Sequence, residues 1–418
     1  MKKEDDRTAG TCGAGESSGV ETSPPLVPRF KQQGYTPEDV SKRRSWLERQ
    51  KGCRLTHVGS HSISTERMRG NIENPIGAAQ VPLGVAGPLL IKGDHAQGVF
   101  YVPLATTEGA LIRSYERGMV ALTRAGGVST HVYLDENRIS PVFFFESSDD
   151  AFRFSNEVQD HFETIREHAE STTHHGRLLH LKCDPIGREV IVHFCYSTGD
   201  AHGMNMIARA TEQACVWIAK RWGVSRFYIH TGSCSEKRAS GALYAGGKGK
   251  KVTAGALLSS YVLERYLHVS AKQLHHMWQH TVLGQIHANT VGYNGHYANG
   301  LTALFIACGQ DVANVVNSAV GITNFEVTEA GDLYASVTLP SLTVATVGGG
   351  TALGTFRECL ELLGCYGSGG ARKLAEITAA TLLAGELSMG AAIASSEFVG
   401  AHETYGRNRP AGGSAQST

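Results

Sequence analysis

A mostly polar stretch opens on the helix-start signal Thr36-Pro37-Glu38-Asp39. Thr36 is placed to cap the helix and Pro37 to open its first turn, and the pattern runs to about Lys51. Glu73–Pro88 (ENPIGAAQVPLGVAGP) is too broken by glycine and proline for a regular element. Val102–Thr107 leads into a helix over Ala110–Thr123, closed by Gly126-Gly127, which puts Glu108 at or beside a helix start. From Pro141 to Gly232 the rhythm changes. Strands are predicted over Val142–Glu146, Leu178–Cys183, Glu189–Tyr196 and Arg226–His230, with helices over Asp149–Glu170 and Met204–Arg221. That βαββαβ order is ferredoxin-like and fits a compact insertion in a larger domain. Beyond it, Ala254–Leu267, Lys272–Leu283, Ala298–Ala307, Thr355–Leu363 and Leu374–Ser396 read as helices. Tyr334–Val347 reads as a strand pair around Pro340-Ser341. The predicted class is α+β.

The 418 residues are too many for one ordinary domain. The expected partition is a disordered N-terminus over 1–30 and a helical element over 31–60. A large mixed α/β domain over 61–140 and 230–396 follows, with a small inserted domain over 141–229 and a mobile tail over 397–418. Lysine plus arginine and aspartate plus glutamate both number 39, so no bulk attraction to nucleic acid or anionic membrane is expected. No apolar run approaches the roughly 20 residues of a membrane span, and the N-terminus has no signal-peptide core. Nine cysteines, an odd number without a C-x-x-C pair, point to a reducing, cytoplasmic setting with no disulfide framework. His174-His175 and His275-His276 are adjacent pairs and no H-E-x-x-H occurs, so no metal site is expected. Lys248, Lys250 and Lys251 beside Gly246-Gly247 miss the spacing of a phosphate-binding loop and read as a solvated loop or a weak phosphate contact.

Two glycine motifs carry candidate chemistry. Gly199-Asp200-Ala201-His202-Gly203-Met204-Asn205-Met206 joins a predicted strand to a predicted helix. Backbone N–H groups at a helix start attract anions such as a pyrophosphate, and Asp200 can accept from an amide or a ribose hydroxyl. An ordinary helix start with a capping Asp reads equally well. Gly348-Gly349-Gly350-Thr351 stands at a second strand-to-helix turn, able to admit a large ligand or simply to bend the chain.

The octapeptide GDAHGMNM resembles the cofactor motif of the 3-hydroxy-3-methylglutaryl-CoA reductases, in which methionine is usual at the His202 position. Further matches in the same order extend the likeness over most of residues 36–409. The resemblance implies the reduction of 3-hydroxy-3-methylglutaryl-CoA (HMG-CoA) to mevalonate and CoA in two hydride transfers from NADPH, with NADH the other possible donor. It implies a soluble catalytic portion and a homodimer or higher homo-oligomer in which one chain's cofactor lobe completes its neighbour's site. By this likeness Glu108 in ATTEGAL is the catalytic glutamate, Lys237 in SEKR the catalytic lysine, Asp311 in ACGQD the catalytic aspartate and His402 in GAHETYGRN the catalytic histidine. Lys237 would stabilise the oxyanion, Glu108 donate a proton, Asp311 tune both, and His402 protonate the CoA thiolate. Asp200, His202, Gly203, Met204, Asn205, Met206, Gly348, Gly349, Gly350 and Arg407 would hold the cofactor. Asn299, Glu236, Arg238 and Arg138 would meet the substrate, the arginines anchoring its carboxylate. Glu236 and Arg238 depart from the family's Asp and Lys. Thr173 and His174 stand where NADPH users carry a Ser-Arg pair, leaving Arg407, alternatively a solvated tail residue, as a phosphate contact. Two other classes remain: an acyl-transfer enzyme using Cys234, and a non-catalytic acyl-CoA-binding relative.

Overall fold

The structure, a computed structural model of the chain, describes residues 25–30 and 34–396. Ten strands join one sheet: β1 (Leu83–Gly93), β2 (Gln97–Ala105), β3 (Val128–Ile139), β4 (Val142–Phe144), β5 (Arg177–Ile186), β6 (Glu189–Ser197), β7 (Phe227–Tyr228), β8 (Lys248–Leu258), β9 (Ile322–Val327) and β10 (Leu333–Leu342). Its path runs β7-β4-β6-β3-β8-β10-β9, with β1 beside β3, β2 beside β1, and β5 beside β6. Within it, β7-β4-β6-β5 are antiparallel neighbours, the ferredoxin-like order expected for the insertion. The fold is α+β, as its sequence predicts.

Two buried clusters form on this sheet. The larger packs the helices Leu111–Arg124, Tyr297–Ala307 and Ala371–Ala394 against β1, β2, β8 and β10. The smaller joins Phe143, Phe154, Ile165, Phe194, Ile207 and Ile218 with their neighbours. The Ala371–Ala394 helix is apolar around most of its circumference because it is enclosed on nearly every side. Contrary to expectation it is long and apolar enough to cross a membrane, yet it is mostly buried as the central core helix. Its close contact with Leu111–Arg124 requires a glycine: a Cβ on Gly118 would lie 1.9 Å from the Ala384 carbonyl oxygen.

Several elements differ from expectation. The glycine- and proline-rich stretch becomes regular from Leu83, because Gly87-Pro88 falls at a register shift between Ala86 and Leu89 where a missing N–H costs no ladder bond. The helix expected over 149–170 is interrupted by a 3-10 turn at Val158–His161. Ala254–Leu258 is not helical but completes β8, paired with β10 throughout and with β3 at Ala254 and Gly255. Only the short turns Ser260–Val262 and Leu263–Leu267 follow it as helix. Of the expected strand pair over Tyr334–Val347 one strand forms, β10, which ends at Leu342; Pro340-Ser341 marks a second register shift. The Pro37–Lys51 helix is as predicted, with the Thr36 hydroxyl accepting from the Asp39 amide at 3.1 Å.

Candidate active site

The GDAHGMNM turn leaves β6 and enters the Met204–Trp222 helix with both Gly199 and Gly203 at positive φ. At Gly203 glycine is required twice over, since a Cβ there would also lie 2.7 Å from the Thr198 methyl. Among the described residues no side chain caps this helix, which leaves its first amides available to a ligand. Asp200 is turned elsewhere. Its carboxylate accepts from the amides of Gly369 (2.8 Å) and Ala371 (3.0 Å), at the start of the core helix Ala371–Ala394. It is thus a capping Asp, but for a helix 171 residues away in sequence. Its carbonyl accepts from Thr346 and Val347, which draws Gly348-Gly349-Gly350 alongside the turn.

Between these two motifs opens a cleft of about 1060 Å³. His202, Gly203, Met204, Asn205 and Met206 line one wall, Gly348, Gly349 and Gly350 another, and Lys237 and Asp311 also face it. Asp200 does not line it. Lys237 Nζ lies 2.8 Å from Asp311 Oδ2, both side chains partly exposed. Lys237 and Ser235 both adopt positive φ, so the loop is held in an uncommon conformation that turns the ammonium toward Asp311. The Lys237 amide is fixed by Asn317 Oδ1 at 3.3 Å, and Asp311 is itself positioned as the cap of the short Val312–Asn314 turn.

Glu236 also lines the cleft and joins a buried network that sequence reasoning missed. Its carboxylate meets His202 Nε2 at 3.4 Å and pairs with the ammonium of Lys248, which is 0% exposed. Lys248 also donates to Asn137 Oδ1 at 2.8 Å, and Asn137 Nδ2 donates to the His202 carbonyl at 2.8 Å. Burial alone would raise the Glu236 pKa, but the His202 bond and the Lys248 charge outweigh it and hold the carboxyl at about 2. Burial pulls Lys248 below the usual lysine range, with Glu236 offsetting part of that. Lys248 and Lys250 are therefore not a solvated loop. They are inward positions of β8, alternating with outward ones, and Lys250 pairs with Asp135 at 3.0 Å. A period of two that counted Lys248 and Lys250 with Val252 and Ala254 as one face would have found them.

Other expected residues lie apart from the cleft. Glu108 does not cap its helix, which begins at Leu111; its Oε2 accepts from Asn299 Nδ2 at 2.8 Å. It lines a second hollow of about 550 Å³ with Leu83, Gly84, Thr106 and Arg113, and neither Lys237 nor Asp311 borders that hollow. Arg138, next to Asn137 on β3, projects to the opposite face of the sheet, its Nε buried with no hydrogen-bond partner among the described residues. Arg238 is exposed and donates to the Glu236 carbonyl at 3.1 Å. Cys234 is 2% exposed, which removes the access an acyl-accepting thiol needs. Thr173 accepts from the amides of His175 and Gly176, and His174 is exposed. His402, Arg407 and the expected tail over 397–418 lie outside the described residues, as do most of residues 1–30.

The family model for hydroxymethylglutaryl-coenzyme A reductase matches residues 39–407. The chain belongs to that family. Among curated reductases, the Methanocaldococcus jannaschii 3-hydroxy-3-methylglutaryl-coenzyme A reductase is 42% identical over 375 residues, covering 87% of this chain and 92% of the relative. The Aeropyrum pernix reductase is 42% identical over 386 residues, covering 90% and 91%. Among solved structures, the Streptococcus pneumoniae reductase superposes with a TM-score of 0.66 at 18% identity, covering 87% of this chain and 99% of the other. A class II reductase structure from the same organism, bound to NADPH in open conformations, has a TM-score of 0.65 at 18% identity over 84% and 86% of the two chains. These two share the fold of the reductase family member described here.

Proposed function

We propose that this protein reduces HMG-CoA to mevalonate and CoA, consuming two NADPH and two protons. The observation that carries the reading is the Lys237–Asp311 pair at 2.8 Å, facing the same cleft as the uncapped helix start at Met204 and the turn Gly348–Gly350. The cleft fits a dinucleotide: its volume is ample, one wall offers unsatisfied amides, and another is three glycines without side chains to intrude. His202, Gly203, Met204, Asn205, Met206 and the three glycines would hold the cofactor, which supplies hydride when bound.

Lys237 is assigned to the substrate's thioester oxygen. As that oxygen gains negative charge, the ammonium stabilises it where water is partly excluded. Asp311 keeps Lys237 cationic and aimed. Loss of CoA from the first tetrahedral adduct breaks the C–S bond and needs a proton on sulfur, which we assign to His402. The aldehyde so formed takes the second hydride, and its oxygen takes a proton from Glu108. Arg138, with an unpartnered buried Nε, and Arg238 are assigned to the free carboxylate, with Asn299 and Glu236 positioning the remainder. Glu108, to which Asn299 donates, borders a separate hollow within one chain, which supports a complete site assembled between two copies in a homodimer or larger oligomer. In this reading the large core binds HMG-CoA and the inserted ferredoxin-like lobe binds NADPH.

The test is absorbance loss of NADPH on addition of HMG-CoA, in wild type and in Lys237→Ala. Removing an oxyanion donor costs about 10²–10³ in turnover. Near-normal turnover in Lys237→Ala removes the lysine from the mechanism. Faster wild-type oxidation of NADH than NADPH overturns the cofactor assignment, and an unchanged preference in Arg407→Ala overturns that arginine's part in it.

A further inference from the structure

Where β3 meets the strands of the inserted lobe, Glu136 of β3, Cys195 of β6 and His180 of β5 come together on one face. Cys195 stands opposite Arg138 across one edge of β6 and opposite His180 across the other. Glu136, two residues before Arg138, shares that face. The ligating atoms of the three residues all lie within 4.8 Å of one another, and His180 Nε2 is 3.1 Å from a Glu136 carboxylate oxygen. Tetrahedral zinc with Zn–N and Zn–O near 2.0–2.2 Å and Zn–S near 2.3 Å sets its donors about 3.3–3.6 Å apart, so modest side-chain rotation brings this set to bonding geometry.

We propose that Glu136, His180 and Cys195 form a site for a divalent transition metal of the zinc type, outside the cleft that Lys237 and Asp311 face. Three features support it. The donors come from three neighbouring hydrogen-bonded strands, so backbone rigidity fixes their separation without any ligand. Their chemistry, one thiol, one imidazole and one carboxylate, is that of a three-ligand site with a fourth position for water. The exposed His180 provides a route from solvent, whereas Cys195 is only 4% exposed. Arg138 and Lys182 also face the cluster and oppose a dication. With Glu136 ionised and one proton displaced from Cys195, binding adds one net positive charge to the cluster instead of the ion's own two, which lessens that opposition. Burial pushes the free Cys195 thiol up to about 12, so the metal displaces a proton on binding.

Cobalt(II) is the probe, titrated into the full-length, reduced protein and followed by thiolate-to-cobalt charge-transfer absorption in the near ultraviolet. The expected result is one equivalent per chain with that absorption, reversed by zinc(II). Cys195→Ser should abolish the band. His180→Ala, a change at an exposed side chain that leaves the fold intact, should weaken binding tenfold or more. Absence of the band in wild type overturns the proposal. So does a band that survives Cys195→Ser, which would place the metal on another cysteine, or one bound with wild-type affinity by His180→Ala.

Discussion

Lys248→Met preserves side-chain length and removes one charge from the buried network beside the cleft. Lys248 is fully enclosed, its ammonium against Glu236 and 2.8 Å from Asn137 Oδ1. Against the upward pull of burial, the His202 bond and the Lys248 cation together hold Glu236 at about 2 instead of 4.5, a net shift of about 3 kcal/mol to which the cation contributes part. The pair as a whole stabilises by less, because burial disfavours the Lys248 ammonium even with its partner present. Deleting one partner has a different cost. The Glu236 carboxylate is then left in a poorly solvated place with only His202 beside it, and breaking a buried pair in this way costs about 3–5 kcal/mol. In Lys248→Met/Glu236→Gln no charge is stranded, so most of that loss should return. The assay is urea unfolding of the full chain near pH 7, followed by far-UV circular dichroism, on wild type, both single variants and the double variant. A Lys248→Met loss below about 1 kcal/mol, the value of an exposed pair, would refute the argument. A double variant as unstable as Lys248→Met would do the same.

The depressed Glu236 pKa also sets an acid limit: the stability it contributes is complete above pH 4.5 and is lost as pH falls toward about 2, so Glu236→Gln should flatten the acid arm of a pH–stability curve. Asp200→Ala should lower stability by about 1–2 kcal/mol, the value of a lost cap, with the Gly369 and Ala371 amides left unpaired; an unaltered thermal midpoint would contradict this. His402→Gln should impair turnover of the thioester far more than of mevaldehyde, which has no thiolate to protonate, and equal losses on both would assign the histidine a structural role.

Elements whose own sequence decides their conformation were legible in advance. The Thr36-capped helix, the ferredoxin-like lobe and the apolar helix Tyr297–Ala307 each carry their pattern locally. The misreadings share a cause. Ala254–Leu258 is a continuous run of apolar residues and glycine in which Leu257 alone is exposed, and such a run does not distinguish a strand from a helix. Lys248 was obscure for a related reason: a lysine is counted as solvent-facing until its counter-charge is known, and Glu236 is supplied by a different loop. The pairing of Lys237 with Asp311 followed from family likeness, not from spacing, since 74 residues separate the two and no periodic pattern links them. Asp200 shows the opposite limit. Its position before a helix marked it as a cap, but only the tertiary fold reveals that the helix it serves is the distant one.

Strand β3 has a mechanical consequence. Its residues Ser129–Asn137 are bonded to β8 in the larger core, and Asn137–Ile139 are bonded to β6 in the smaller one. At Asn137 both neighbours are engaged at once. The two cores are therefore not joined by loops alone, as beads on a string would be, but share one unbroken ribbon. Any swing of one against the other must be taken up as extra torsion along this ribbon, spread over many soft dihedrals, instead of as a sharp bend at a few residues. Opening and closing of the cleft would then resemble the wringing of a cloth more than the turning of a door, and its amplitude would be limited by the twist a sheet tolerates before its ladder breaks.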